Sequence, residues 1–134
     1  MSYEKNRNDI VQLLETLFPG GVGVEIGVKR AEFSEHLLDN WNCKVLHLVD
    51  PWVAYKEYDE SDHAHDTNYK EAVKRVKRFG LRANIIRKKS SDAVHDFDDC
   101  SIDFVYIDGN HSYESVKQDL ELWFKKLRPG GILM

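Results

Sequence analysis

The chain has 134 residues, of which 42% are apolar and 31% charged, enough for one domain with a buried core. Its formal net charge of −4 does not favour non-specific binding to nucleic acid or to a membrane surface, since both require a basic face. No apolar run approaches the roughly 20 residues of a membrane span, and the polar N-terminus resembles no signal peptide. We therefore expect a cytoplasmic protein whose two cysteines, Cys43 and Cys100, are reduced.

Helix and strand patterns alternate from the start of the chain. Apolar residues at helical spacing and Pro or Gly after the last turn indicate the helices. Short runs of β-branched residues indicate the strands. The first half predicts a helix, a strand, a second helix, a second strand and a polar loop, at Glu4–Phe18, Val22–Ile26, Ala31–Asn40, Lys44–Val49 and Val53–Asp66.

The second half continues the alternation. The last predicted helix has its apolar residues spaced by three and four, from Tyr113 to Leu127, and is stopped by Pro129-Gly130-Gly131. The segments predicted around it are a helix to Arg78, a strand at Ala83–Arg87, a turn or short helix at Ser90–Asp92, a strand at Ile102–Ile107 and a fifth strand beginning at Ile132–Met134. This order predicts an α/β fold, a Rossmann-like doubly wound parallel sheet with helices on both faces.

Polar residues follow the predicted strands at the points where ligands bind. In open parallel sheets the ligand lies beyond the carboxyl ends of the strands, where the strand order reverses. The residues at those ends are Gly27, Asp50, Ser90 with Ser91, and Asp108. A glycine turn and two carboxylates therefore stand where a nucleotide-like ligand would lie.

Gly27 and Asp50 are more specific as a pair than alone. Without a Cβ, Gly27 lets the chain turn sharply and lets a ligand approach the backbone. Asp50 follows it by 23 residues, the spacing at which an acid accepts hydrogen bonds from ribose hydroxyls. The structural alternatives are an ordinary turn glycine, and a turn-forming aspartate before Pro51.

A dinucleotide site is the main competitor. It requires GxGxxG directly after the first strand, but the segment here reads Gly27-Val28-Lys29-Arg30-Ala31. A GxxxxGK[ST] phosphate loop is also absent from the sequence. The pattern therefore favours a ligand with a ribose and no pyrophosphate.

Four segments carry a family resemblance: Val24–Gly27 with Glu32–Ser34, Val49–Trp52, Asp103–Tyr113, and Leu127–Gly131. They resemble class I S-adenosylmethionine-dependent methyltransferases. The small-molecule branch that includes macrocin O-methyltransferase and cephalosporin-hydroxylase-like proteins is the most similar. The resemblance covers the chain from Gly21 to Met134.

The resemblance implies a cofactor site for S-adenosylmethionine. Glu25 and Gly27 would face its methionine part, Asp50 would hold the ribose, and Asp108 would lie beside the cofactor. Trp52 would pack near the adenine, or serve as a core or surface aromatic. The sequence departs from the family pattern at two positions: Ala31 replaces a second glycine, and Ser90 replaces an acid after the third strand, which leaves Ser91 and Asp92 as further polar candidates for adenine.

The catalytic candidates are Asp108 and His111, which follow the fourth strand. Methyl transfer requires an oriented acceptor and a base, and His111 is suited to be that base. The resemblance also implies a divalent cation such as Mg²⁺ at Asp108. The structural alternatives are that Asp108 caps the next helix and His111 bonds a nearby loop. His63 and His65, in the polar loop, lack a third ligand at fixed spacing, which favours a solvated loop over a zinc site.

We predict methyl transfer to a small-molecule acceptor, at oxygen, with no nucleic-acid or membrane partner. The alternatives are a cofactor-binding module without turnover of its own and a nicotinamide-dependent oxidoreductase domain. The resemblance implies seven strands, and five are visible. We therefore expect a single domain over residues 1–134 that is truncated at its C-terminus, or one that completes its sheet with a second copy as a homo-oligomer.

Overall fold

The computed structural model describes residues 3–53, 62–109 and 112–134. Within these ranges the strands are β1 (Val22–Ile26), β2 (Val45–Val49), β3 (Ala83–Ile86), β4 (Ile102–Ile107) and β5 (Leu127–Leu133). The helices are α1 (Tyr3–Leu17), α2 (Glu32–Asn40), α3 (Asp62–Val76), α4 (Ser90–Ala93) and α5 (Tyr113–Phe124). Short 3₁₀ segments follow α3 and α4, at Lys77–Arg82 and Val94–Asp96.

The strands form one parallel sheet in the order β3-β2-β1-β4-β5. The chain builds outward from β1 in one direction, through β2 to β3, and then returns to the other side of β1 with β4 and β5. The order therefore reverses between β1 and β4, where open α/β sheets bind ligands. The predicted Rossmann-like sheet is confirmed.

Helices cover both faces of the sheet, as predicted. One face buries Leu46, Leu48 and Phe104 against α1, α2 and α3. The opposite face buries Val24, Ile26, Val49, Ile102 and Val105 against α4 and α5. Strands buried on both faces read as nearly continuous apolar runs, which is why β1, β2 and β4 are visible in the sequence.

The end of the chain differs from the prediction. Helix α5 ends at Phe124, and Leu127 belongs to β5 instead of the helix. Leu127 pairs with Ile102, and Ile132 pairs with Phe104, so Pro129-Gly130-Gly131 forms an irregularity inside the strand. The prediction was wrong because Leu127 continues the helical spacing, whereas the partner strand β4 decides where β5 begins.

Two other helices also differ in detail. Helix α3 begins at Asp62, inside the segment predicted as a loop. In α5 the inward face consists of Asp119 and Trp123, while Tyr113 is 79% exposed and Leu120 is 40% exposed. Spacing identified the helix but misjudged its rotation, because a buried aspartate does not read as a core residue.

Apolar side chains of α5 and β5 line a groove. Phe124 is 70% exposed, and Leu120, Leu122 and Leu133 line the groove with it. Across the three described ranges, no helix has the length and apolarity needed to span a membrane.

Candidate active site

Three strand ends meet where the strand order reverses. The amide of Gly27 donates to the carbonyl of Val49 at 2.9 Å, and the amide of Asp108 donates to the carbonyl of Ile26 at 2.7 Å. These bonds join the residues that follow β1, β2 and β4. The structure thus brings together Gly27, Asp50 and Asp108, which the sequence placed only at separate strand ends.

Gly27 is required by the backbone that passes beside it. Its φ is +87°, and a Cβ built on it would lie 2.1 Å from the carbonyl oxygen of Asp108. A side chain at this position would therefore displace the loop after β4. Close approach of a ligand to Gly27 stays a prediction; what the structure shows is close approach of the Asp108–Gly109 backbone.

The loop after β1 holds two further residues in the left-handed region. Lys29 has φ 55° and Ala31 has φ 62°, and Ala31 is fully buried. Glycine is the residue that adopts this conformation without cost. Ala31, which replaces the second glycine of the family pattern, therefore has a backbone conformation that suits glycine. Residues held in sparsely populated backbone regions cluster at functional sites.

Asp50 accepts hydrogen bonds from backbone amides in the loops that follow β1 and β2. Its Oδ2 accepts hydrogen bonds from the amides of Val28, at 2.9 Å, and Lys29, at 3.0 Å. Its Oδ1 accepts one from the amide of Trp52, at 2.7 Å. The structural alternative, a turn-forming aspartate, thus describes part of its role. A carboxylate has about four acceptor positions, so one remains at Oδ1 for a ligand hydroxyl; the ribose contact stays a prediction.

Trp52 is a core residue in this structure. Its side chain is 2% exposed, its indole nitrogen donates to the carbonyl of Lys29 at 2.8 Å, and its ring packs edge-on against Tyr69. It holds the loop after β1 against α3. Little of its surface is open to a ligand, and the adenine contact predicted for it remains untested.

Glu25 is a carboxyl group buried beneath the site. It is 2% exposed and accepts a hydrogen bond from the hydroxyl of Ser34 in α2. Burial raises the pKa of Glu25 from 4.5 to about 8, the Ser34 hydrogen bond opposes the rise, and the negative charge of Asp108 adds to it. The side chain therefore keeps its proton at neutral pH, which marks it as a candidate functional group.

Arg7 of α1 brings a positive charge to the same side of the sheet. Its charge lowers the pKa of Glu25, and its guanidinium lies 5.0 Å from the ring centroid of Phe33. The ring of Phe33 in turn packs on Tyr106 of β4, with centroids 4.7 Å apart. Sequence reasoning missed Arg7 and Tyr106, because nothing local in α1 or β4 shows which residues meet across the sheet.

Asp108 is an exposed carboxylate at the end of β4. It is not the cap of α5, because the hydroxyl of Ser112 accepts the amide of Ser115 at that position. That structural alternative for Asp108 is therefore wrong. His111 lies outside the described residues, so its role as base stays a prediction.

A metal at Asp108 finds no support in the donor set. Among residues 3–53, 62–109 and 112–134, no three His, Cys, Asp or Glu side chains form a group that could hold an ion. Two acids at this end of the sheet are Glu25, which keeps its proton, and Asp50, which is bonded to three amides.

Ser90 and Ser91 begin α4, after β3. The hydroxyl of Ser90 donates a hydrogen bond to the carboxylate of Asp119 in α5. Ser91 is half-buried, as is Ser90. Sequence reasoning missed Asp119, since it stands among the apolar residues of a helix and 29 residues beyond Ser90.

The His63 and His65 segment belongs to α3 and not to a loop. Asp66 in the same helix pairs with Lys70, 3.1 Å away, and with Arg87, 3.7 Å away. These exposed ion pairs fit a solvated helix face.

Comparison with known proteins assigns the family. A family model described as "Methyltransferase domain" matches residues 22–134. A protein of Corynebacterium glutamicum with a known crystal structure superposes with a TM-score of 0.72 and 18% identity, over 99% of this chain and 57% of that one. The O-methyltransferase TomG of Streptomyces achromogenes, solved with S-adenosylmethionine, superposes with a TM-score of 0.67 and 16% identity, over 99% and 55%.

A curated relative is more similar in sequence over a shorter stretch. The uncharacterized protein y4gI of Sinorhizobium fredii is 36% identical over 52 residues, which are 39% of this chain and 6% of that protein. The chain thus spans a little over half the length of the two solved structures and a small part of the Sinorhizobium protein. The match over residues 22–134 shows that the chain belongs to the methyltransferase domain family, and the chain shares the fold of the two solved structures.

Proposed function

We propose that this domain binds S-adenosylmethionine and directs its methyl group to the oxygen of a small-molecule acceptor. The observation that carries the proposal is the meeting of Gly27, Asp50 and Asp108 at the strand-order reversal, above the buried Glu25. Family membership supports the reaction class. TomG, a neighbour in fold, is an O-methyltransferase.

The charges of the site fit the amino acid end of such a cofactor. A methionine moiety carries a carboxylate and an ammonium group. Arg7 offers a cation for the carboxylate, while Glu25 and Asp108 offer acceptors for the ammonium group. An ammonium group beside Glu25 would favour the ionised form of that side chain, since an opposite charge lowers a carboxyl pKa.

The ribose end fits the remaining acceptor position of Asp50. Its other acceptor positions are taken by backbone amides, so its orientation is set before a ligand arrives. A preorganised acceptor costs less ordering entropy on binding. Gly27, which cannot carry a side chain here, keeps the backbone of the β1 and β4 loops in contact.

The bound cofactor supplies an electrophilic methyl group on a sulfonium, with S-adenosylhomocysteine as leaving group. Asp108, exposed at the end of β4, would orient the acceptor hydroxyl. His111 would take the hydroxyl proton as the new oxygen–carbon bond forms and the carbon–sulfur bond breaks. The protein's contribution is mainly positioning, which holds the two reactants in line.

Calorimetry with S-adenosylmethionine, S-adenosylhomocysteine and NAD tests the cofactor. We expect micromolar binding of the first two and none of NAD; preference for NAD would favour the oxidoreductase alternative and overturn the proposal. Transfer of labelled methyl groups to a panel of small hydroxylated compounds then tests turnover. Cofactor binding with no transfer to any compound would favour the binding-module alternative.

Two variants test the catalytic residues in that assay. Asp108→Asn and His111→Ala should each lower turnover by about 10²- to 10⁴-fold, the usual contribution of a positioned acid or base. Asp99→Asn is a matched control, because Asp99 is an exposed acid that pairs with Lys126 outside the site. Full turnover in both site variants would refute their assignment.

A further inference from the structure

The loop after β1, residues 27–31, has a backbone conformation that its own sequence does not favour. Lys29 and Ala31 lie in the left-handed region, with φ of 55° and 62°. Ala31 is the N-cap of α2, and its side chain makes no capping hydrogen bond there. This conformation costs energy for any residue except glycine, and it persists only where the surrounding structure holds it. The loop therefore depends on contacts from other elements.

Two side chains from distant parts of the chain hold the carbonyls of this loop. The indole nitrogen of Trp52 donates to the carbonyl of Lys29 at 2.8 Å. Nε of Arg75, in α3, donates to the carbonyl of Arg30 at 3.0 Å. A carbonyl oxygen lies in the plane of its peptide unit, so its direction depends on ψ of the same residue and φ of the next. Trp52 thus fixes the peptide unit after Lys29, and Arg75 fixes the one before Ala31.

Arg75 also contacts the helix that follows the loop. Its Nη1 lies 3.4 Å from Oε1 of Glu35, in the first turn of α2. The amide of Glu35 in turn donates to the carbonyl of Ala31 at 2.9 Å. A guanidinium is planar and presents its donors in a fixed fork, so the two contacts of Arg75 constrain each other's direction. Arg75 therefore spans the junction between the loop and α2 from a third element.

The same loop carries amides that orient Asp50. The amides of Val28 and Lys29 donate to Oδ2 of Asp50. The amide of Ala31 donates to the carbonyl of Val28 at 3.0 Å, which closes one turn of backbone. A change of conformation at Ala31 would open that turn and move the amides that Asp50 accepts. The contact of Arg75 is thus linked through the backbone to the acceptor proposed for the ribose.

We propose that Arg75 is a positioning residue that keeps Ala31 left-handed and so holds the loop after β1 in the shape that receives the cofactor. The assignment rests on the proposed function and adds to it a residue that acts through the loop. Glycine would adopt the left-handed conformation without cost. Ala31 adopts it under a contact from an element 45 residues beyond Arg30.

Calorimetry with S-adenosylhomocysteine tests the assignment by a double-mutant cycle between Arg75 and Ala31. Arg75→Met removes the guanidinium, so Ala31 returns to the conformations that alanine prefers and fewer molecules have a competent loop. We expect the affinity to fall about 5- to 30-fold, the population shift for one left-handed residue. In the Ala31→Gly background, the same change should weaken binding by less than about threefold, since glycine needs no contact to stay left-handed.

Arg78→Met is the matched control. Arg78 pairs with the same Glu35, at 3.4 Å, and with Asp39, at 2.8 Å. Both partners lie in α2 and not in the loop. The affinity of this variant should stay within about twofold of the wild-type value. A loss equal to that of Arg75→Met would show that any ion pair to α2 has the same effect, and it would overturn the assignment to Arg75.

The remaining outcomes separate this assignment from the proposed function. Unchanged affinity in Arg75→Met, or a loss that the Ala31→Gly background does not relieve, would overturn the role of Arg75 and leave the proposed function standing. If Arg75→Met does not fold, Arg75→Lys decides by the same cycle, because lysine keeps the charge that faces Glu35 and loses the planar fork. Binding of neither S-adenosylmethionine nor S-adenosylhomocysteine to the wild-type protein would overturn both proposals. The full chain is used throughout.

Discussion

The two ends of the sheet each hold a buried carboxyl group, and they treat it differently. At the end opposite the site, Asp103 accepts the amide of Val22 at 2.8 Å and lies 3.3 Å from the guanidinium of Arg128. At the ligand end, Glu25 is bonded to a hydroxyl, and its pKa is raised to about 8. The Asp103 charge is compensated by groups of the fold itself. The Glu25 carboxyl has a hydroxyl as its partner instead, and it keeps its proton at neutral pH.

The glycines at the two ends differ in a similar way. Gly20 and Gly27 both have positive φ, +72° and +87°. A Cβ at Gly20 would meet no atom within 4 Å, whereas one at Gly27 would overlap the backbone of Asp108. Gly20 thus serves to finish a helix, whereas Gly27 lets two loops come together.

The largest expected effect is on the pH dependence of stability. The pKa of Glu25 is raised in the folded state, so its contribution is fully present below pH 4.5 and is lost as pH rises through about 8. Across that window, the free energy of unfolding of the wild-type protein should fall by about 3 to 5 kcal/mol more than that of Glu25→Gln. Urea unfolding at several pH values measures it. If the free energy of unfolding changed equally with pH in the two proteins, Glu25 would not differ from Asp103 in the way described.

The next effect comes from filling the space at Gly27. Gly27→Ala should lower the free energy of unfolding by about 2 to 5 kcal/mol, because backbone strain and overlap with Asp108 add. It should also weaken S-adenosylhomocysteine binding, measured by calorimetry on the folded fraction. Gly20→Ala is the control and should cost about 1 kcal/mol without affecting binding. Similar losses of unfolding free energy in Gly27→Ala and Gly20→Ala would show that the cost comes from the positive φ and not from overlap with Asp108.

The smallest effect is expected at Asp103. Asp103→Asn keeps an acceptor for Val22 but loses the charge that faces Arg128, so we expect a loss of about 1 to 3 kcal/mol in the free energy of unfolding. Affinity for S-adenosylhomocysteine should stay within about twofold of the wild-type value, a difference below about 0.4 kcal/mol. Thermal unfolding and calorimetry measure the two quantities. A large loss of affinity would mean that the two ends of the sheet are coupled.

Much of the fold could be predicted from local pattern. The strands around Val24, Leu48 and Val105 read as apolar runs because both faces of the sheet are covered. β5 could not be placed correctly, since Leu127 fits a helix by spacing and its pairing with Ile102 is a contact between distant parts of the chain. The spacing in α5 failed for a related reason, because Asp119 is buried and bonded to Ser90, which lies 29 residues earlier in the chain.

The candidate site, like the fold, could be predicted only in part from the sequence. Gly27, Asp50 and Asp108 were found because each directly follows a strand, and parallel strands end at one edge. The bonds that Asp50 makes with Val28, Lys29 and Trp52 could not be foreseen, since turn residues and ligand residues look alike in sequence. The cap of α5 was assigned to Asp108 as an alternative, and the structure gives that place to Ser112.

By itself, the sequence determined the α/β alternation, the residues at the strand ends and the resemblance to methyltransferases, because these depend on periodicity and on neighbours along the chain. Tertiary structure alone decided that the charge of Arg7 lowers the pKa of Glu25 and that Ser34 donates a hydrogen bond to Glu25. It also decided that Ser90 donates a hydrogen bond to Asp119. Each of these pairs joins different elements. Their effect depends on burial, which removes water from a charge and has no signature in the order of the residues.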